Sequence, residues 1–404
     1  MQQSNQRPLQ SAQAVLTPSL VRIMAIASGI TVANLYYIQP LLEQISRNFN
    51  VTQVSVGFVA MLTQVGYAIG MLLILPMADT IEKKRLILLM AALAGCSIFI
   101  VSRAGNIPTL AAASFAVGFT SIVPQLLLPL AAQLANPKDR GRIIGSVLSG
   151  LLIGILVSRT FSGFIGQYFG WRLVYLLATF AMIALFLFLF RFLPKCPPIS
   201  NMPYRQLMTS IGGVIKKYAA LRQASILGAM MFASFSAFWT SLVFLLNTPV
   251  YHMGANIAGL FGLVGIGGAL FAPIVGRISD KRGPKFSVCI GLVVLIVSYL
   301  FFLLAGHQLW ALIVGVILLD LGAQAGQVSN QARIQALDDN ARNRINAVFM
   351  VSYFIGGSLG SFIGSLSFSH FGWIGVCIFG FITQAIAVVF QIRSFHTVDS
   401  VEQK

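Results

Sequence analysis

Two ionisable residues stand deep inside long apolar stretches of this 404-residue chain, Arg159 and Asp320. Taking an ionised side chain out of water costs several kcal/mol even after relaxation, so each needs a partner, a polar cavity or, for the acid, a proton. Asp320 heads a polar stripe. Asp320, Gln324, Gln327 and Gln331 recur at i, i+4, i+7 and i+11, which places them on one helical face. Milder stripes are Ser114, Gly118, Ser121 and Gln125; Ser236, Trp239, Thr240 and Asn247; and Thr31, Asn34, Tyr36 and Tyr37. These residue types suit proton exchange at a carboxyl group and hydrogen bonding of a polar solute. Interhelical hydrogen bonding is an equally good use of any one Gln or Asn. Catalytic patterns are lacking: the sequence has no Gly-x4-Gly-Lys-Ser/Thr phosphate loop, no His-Glu-x-x-His and no visible Ser-His-Asp set. His252, His307 and His370 are too far apart in sequence for close ligand spacing. The chain is expected not to be an enzyme, and neither a metal nor a cofactor is expected.

The elements that position these residues follow from composition. Hydrophobic residues make up 57% of the chain, about 230 positions, and charged residues only 9%. Soluble domains usually carry about a quarter charged residues, so an ordinary cytosolic enzyme, a disordered chain and a nucleic-acid binder are excluded. A membrane-spanning helix takes ~20 apolar residues. Runs of that order fall near 21–45, 53–77, 84–102, 108–134, 143–167, 172–193, 225–250, 256–278, 285–305, 308–334, 345–369 and 373–392. The run Ala181–Phe190 does not alternate, so barrel strands do not fit. The expected class is an all-α polytopic membrane protein of twelve transmembrane helices.

Basic residues set the orientation. With the N-terminus inside, outer loops hold only Arg47, Arg103 and Arg172 of the 27 Lys and Arg residues. Both termini are therefore expected to be cytoplasmic, in an inner (cytoplasmic) membrane, and the net charge of +17 reads as positive-inside bias. The four cysteines suggest no disulfide framework, and no cleavable signal peptide is evident. At a rise of 1.5 Å per residue, Asp320 lies about 16 Å and Arg159 about 12 Å from the outer ends of their helices. Similar depth makes a pair feasible, and a buried ion pair that merely locks the fold is the structural alternative to a functional one.

A polar break near 194–224, with Pro194, Pro197, Pro198 and Pro203, divides the runs six and six. Phe169-Gly170-Trp171 recurs 202 positions later as Phe371-Gly372-Trp373. At the same offset Arg140, Arg142, Ile143 and Gln125 recur as Arg342, Arg344, Ile345 and Gln327. Asp79 meets Asp280 at an offset of 201. The expected organisation is a tail over 1–20, a six-helix bundle over 21–193, a cytoplasmic linker over 194–224, a second bundle over 225–392 and a tail over 393–404. Parallel repeats of this kind are a transporter architecture.

The loop Gly276-Arg-Ile-Ser-Asp280-Lys281-Arg282-Gly283-Pro284-Lys285 resembles the signature loop of the major facilitator superfamily, Gly-x-x-x-Asp-Arg/Lys-x-Gly-Arg/Lys-Arg/Lys. Gly276, Asp280, Lys281, Gly283 and Lys285 match, and Pro284 departs. The first-half copy keeps Asp79, Lys83 and Lys84. The run 145–166 is similar to the superfamily's antiporter signature at Gly145, Gly154 and Gly163, with Arg159 where that pattern has Pro. Small residues at every fourth position, including Gly150 and Gly154, recur as Gly356 and Gly360. Such ladders allow close helix packing.

The resemblance is to the twelve-span drug and metabolite efflux branch. It implies alternating access about a cavity lined by spans one, four, seven and ten, with Asn34, Tyr37, Gln125, Trp239, Asn247, Gln324 and Gln327 facing a small organic solute. Asp320 with Arg159 would couple protons. Asp79, Lys83, Arg344, Gly276, Asp280, Gly283 and Lys285 would form gating loops, with Asp79 near Arg344. The expected partners are a small-molecule substrate, protons and the lipid bilayer, with no nucleic acid, and the expected state is a monomer. Uniport, proton-linked uptake and a transporter-like membrane sensor stay open as alternatives.

Overall fold

The computed structural model describes residues 17–136, 139–196, 204–269, 283–338 and 341–396. Among them the chain is helical and contains no strand. Helix α1 (Pro18–Ala33) opens on Thr17, whose hydroxyl accepts the Leu20 N–H, with Pro18 in its first turn. That is the usual chemistry of a helix start. α1 breaks at Asn34, and a 3-10 turn over Gln39–Leu41 precedes the short α2 (Leu42–Phe49). There follow α3 (Gln53–Ile74), α4 (Lys83–Arg103), α5 (Ile107–Thr120) and α6 (Val123–Leu134). Then come α7 (Arg140–Phe169), α8 (Trp171–Phe192) and the short polar α9 (Tyr204–Lys217). The remainder is α10 (Ala219–Leu246), α11 (Ala255–Ala269), α12 (Pro284–Leu304), α13 (Leu309–Gln335) and α14 (Arg342–His396).

Nine helical stretches among the described residues are long and apolar enough to cross a membrane. The expected count differs for local reasons. α1 is 16 residues long because it breaks before Pro40. The run expected over 256–278 continues outside the described residues after α11. The last two runs share α14, which is interrupted at Gly372, with φ 61° and ψ −153°. Gly170, its counterpart 202 positions earlier, ends α7 with φ 86°. Positive φ is strained for side-chain-bearing residues and costs glycine little, which accounts for glycine in both copies of the Phe-Gly-Trp triplet.

Glycine also sets how closely the helices approach. A Cβ on Gly150 would land on the backbone of Ala25, and one on Gly154 on the backbone of Gly29, so α7 packs directly on α1. Gly356 and Gly360 press in the same way on Ala229 and Ala233, joining α14 to α10. α3 meets α14 where Gly57 faces Ser365, and α7 meets α11 where Gly163 faces Ala255 and Gly259. Without a hydrophobic drive between helices in lipid, such close contact is a main source of association. Large exposed apolar residues such as Ile153, Phe180 and Ile374 are consistent with lipid contact.

Gly154→Val should force α1 and α7 apart and lower the thermal unfolding midpoint in detergent, at an overpacking cost of ~1–3 kcal/mol. Gly212→Ala in α9, where an added Cβ meets nothing within 4 Å, should leave the midpoint unchanged or raise it. Equal midpoints for the two variants would show that the α1–α7 contact is dispensable.

Candidate functional site

Arg159 sits on the face of α7 that meets α11 and is 1% exposed. Its Nε donates to Gln39 Oε1 at 2.8 Å. The break after α1 makes this contact, because it carries Gln39 in the 3-10 turn. The guanidinium carbon lies 3.9 Å from the Trp239 ring centroid, 5.0 Å from that of Tyr36 and 5.8 Å from that of Phe235. Phe235 and Trp239 are one helical turn apart on α10, so one face of that helix supplies two walls of the box. A desolvated cation over an aromatic face gains about 2 kcal/mol. Both terminal nitrogens, Nη1 and Nη2, are buried without a hydrogen-bond partner. A space beside Arg159, walled by Gln39, Pro40, Trp239, Leu242, Val243 and Ala258, is too small for a water molecule.

Asp320, on α13, is 4% exposed, and its Oδ2 is buried without a partner. Arg159 and Asp320 are within electrostatic reach of each other. They do not touch: no Arg159 nitrogen lies within 4.0 Å of an Asp320 oxygen, and neither joins any of the four ion pairs among the described residues. Both charges instead lie along one face of α11. The Arg159 carbonyl packs on Gly259, its Cβ on Gly262 and the Asp320 carboxylate on Gly265. A Cβ at Gly262 would come within 3.1 Å of Arg159 Cβ, and one at Gly265 within 2.8 Å of Asp320 Oδ2. Glycine at every third position of 259–265 carries this arrangement.

Tyrosines and glutamines surround the pair. Gln125 donates to the Tyr67 hydroxyl at 3.2 Å, and Tyr353 donates to Gln327 Oε1 at 3.3 Å. Tyr67 and Phe354 rings are 4.5 Å apart, and Tyr353 stacks on Phe232 at 4.1 Å. Tyr36 is within electrostatic reach of Tyr67, Tyr353 and Arg159. Gln64 on α3 donates to Ser361 at 2.8 Å and accepts from Ser236 at 3.4 Å, tying α3 to α14 and α10. Gln39, Gln64, Tyr67 and Tyr353 were not among the expected site residues. Each lies in an apolar run where sequence alone gives it no distinguishing period.

The other expected cavity residues part company. Asn34 donates to Ser121 at 3.3 Å and approaches the Met182 sulfur at 3.6 Å, so it links α1 to α5 and α8 instead of joining the Arg159 cluster. Asn247 donates to Glu43 at 3.0 Å, joining the end of α10 to α2. Gln324 is half-buried on α13, and Gln331 donates to Asn346 at 3.0 Å. Tyr37 packs edge-on against Tyr175 and lines a separate cleft of about 1250 Å³ between α1, α6 and α7. Ser158 also lines that cleft, while its neighbour Arg159 points to α11.

Of the expected gating residues, Gly276, Asp280 and the side chain of Asp79 lie outside the described residues. Lys83 is buried and its Nζ donates to Gln133 at 2.6 Å. Gly283 precedes α12 with φ 86°, and the Lys285 carbonyl accepts from Gln391 at 2.9 Å. Arg344 is half-buried in the first turns of α14.

The family model described as Major Facilitator Superfamily matches residues 24–331 and 224–400. A protein of Escherichia coli O157:H7 named "Uncharacterized transporter YgaY" is 39% identical over 94% of this chain and 97% of its own. One of Helicobacter acinonychis named "Probable sugar efflux transporter" is 23% identical over 88% of this chain and 92% of its own. Among solved structures, a bacterial homologue of the human lysosomal transporter Spinster, inward-facing and occupied, superposes with a TM-score of 0.73 at 14% identity, covering 94% of this chain and 97% of that one. The nucleoside transporter NupG gives 0.75 at 13% identity, covering 92% and 98%. The apolar helices, the packing around two buried charges and these matches agree: the chain belongs to the Major Facilitator Superfamily, a multi-pass membrane transporter and not an enzyme.

Proposed function

We propose that the chain is a twelve-span secondary transporter of the cytoplasmic membrane that exports a small organic solute in exchange for protons. The observation that carries this reading is Asp320, a buried carboxylate with an unpartnered oxygen and the one acid deep inside a predicted span, Glu43 standing at the outer end of the first. A coupling side chain must be able to take up a proton inside the bundle, and a spanning acid is functional by default. The printed name of the Helicobacter relative favours efflux.

The twelve spans are α1 with its extension through α2, α3, α4, α5 with α6, α7, α8, α10, the apolar run that opens with α11, α12, α13 and the two parts of α14. Residues 21–193 and 225–392 form the two halves, joined by the linker over 194–224, and the chain acts as a monomer. Basic residues keep both termini on the cytoplasmic side, so α2 lies at the outer end. There Glu43 of the first half meets Asn247 of the second, which supports a closed outer gate. Rocking of the halves about the midplane would open the Glu43–Asn247 contact, lift Arg159 off Phe235 and Trp239 of the second half, and expose the Arg159 box outward. Asp79 near Arg344 would serve the inner gate.

Three outcomes follow. In proteoliposomes, Asp320→Asn should abolish substrate-driven proton movement while leaving substrate counterflow at raised, saturating substrate. Normal proton movement in that variant would leave Asp320 a structural residue. Glu43→Cys with Asn247→Cys, bridged by a short thiol crosslinker, should stop transport until the bridge is cleaved; full transport by the bridged protein would remove the outer-gate role. Arg159→Gln leaves a buried acid without its counter-charge, at a cost of up to ~3–5 kcal/mol. Adding Asp320→Asn should return part of the lost thermal stability, whereas strictly additive losses would show that the two groups do not sense each other.

A further inference from the structure

We infer that the transported solute is a zwitterion of the amino-acid type, its carboxylate held by Arg159 and its protonated amine by Asp320. The inference rests on the proposal that Asp320 exchanges a proton, and it names the substrate class of that same site. Three features support it. Gln39 occupies only Arg159 Nε, which leaves the Nη1 and Nη2 donors free. Two such donors are what a carboxylate needs for a forked contact, and arginine cannot shed its charge to avoid the need. Asp320 Oδ2 likewise lacks a donor, and an ammonium carries three. The two groups sense each other yet stand more than 4.0 Å apart, so neither cancels the other by contact.

Charge then discriminates between solute classes. A monoanion on Arg159 would bring a second negative charge toward Asp320 and leave its oxygen unanswered. A monocation on Asp320 would be repelled by Arg159 and leave both of its Nη groups empty. A molecule with opposite charges a few atoms apart answers both. Its amine competes with the proton for one carboxylate, which is the stoichiometric basis of exchange. The walls offered by Tyr36, Phe235 and Trp239 suit an apolar side chain. Beside Arg159 the space, walled by residues of both halves, does not admit even water, so entry requires the halves to part there.

Thermal stabilisation of the detergent-solubilised full chain tests this without any gradient. The probes are the standard amino acids, each matched with its deaminated acid and its decarboxylated amine. At least one amino acid should stabilise the protein saturably, and its two half-charged analogues should bind at least ~10-fold more weakly. Arg159→Lys keeps the charge and loses the fork, and Asp320→Asn keeps the shape and loses the charge; each should weaken that amino acid by a similar factor. A panel in which no amino acid binds, or in which a singly charged analogue binds as well, overturns the inference. So does unchanged binding by folded Arg159→Lys. Amino-acid binding without proton movement in proteoliposomes would keep the substrate class and remove the exchange. Proton exchange driven by a singly charged solute would do the reverse.

Discussion

The structure is organised around two ionisable groups, Arg159 and Asp320, buried within electrostatic reach of each other without contact. Each costs several kcal/mol to desolvate, and an ion pair would have offset part of that cost. Here the cation is met by the Trp239 face and by Gln39, while the carboxylate rests on the bare backbone of Gly265. α11 makes this possible. Its glycines at 259, 262 and 265 bring α7 and α13 close enough for Arg159 and Asp320 to share one helical face. A side chain at any of the three would push a charge away or separate the helices.

The same economy recurs elsewhere. Gly150 and Gly154 seat α7 on α1, and Gly356 and Gly360 seat α14 on α10, so the helices that carry the charges and the aromatic box are held by backbone contact. Polar bonds such as Gln64 with Ser361 add direction to that packing. Interhelical hydrogen bonds of this kind are each worth only ~0.6–2 kcal/mol. Contacts so weak can break and re-form, as a protein that changes its accessible side must allow.

Much of this was legible in the sequence, and the limits are instructive. Charge is so rare in the apolar runs that Arg159 and Asp320 stood out by counting. The repeated Phe-Gly-Trp triplet marked the two halves as copies, and in the structure Gly170 and Gly372 both have positive φ. The polar stripes were less informative, because one periodicity serves a cavity and a helix contact equally. Asn34 turned toward Ser121 and Asn247 toward Glu43. Tyr67 and Tyr353 were hidden because an aromatic residue in an apolar run looks like core until its hydroxyl finds a glutamine. Gln39 was hidden because its position depends on where α1 breaks.

The account stands or falls on Asp320 being a carboxyl group that titrates inside the bundle. Difference infrared spectroscopy of reconstituted protein, recorded as pH is lowered, reads this directly through the carbonyl stretch of a protonated carboxyl. The account predicts a band in the wild type that is missing from Asp320→Asn and displaced in Arg159→Gln. Identical spectra for the wild type and Asp320→Asn across the pH range would contradict it.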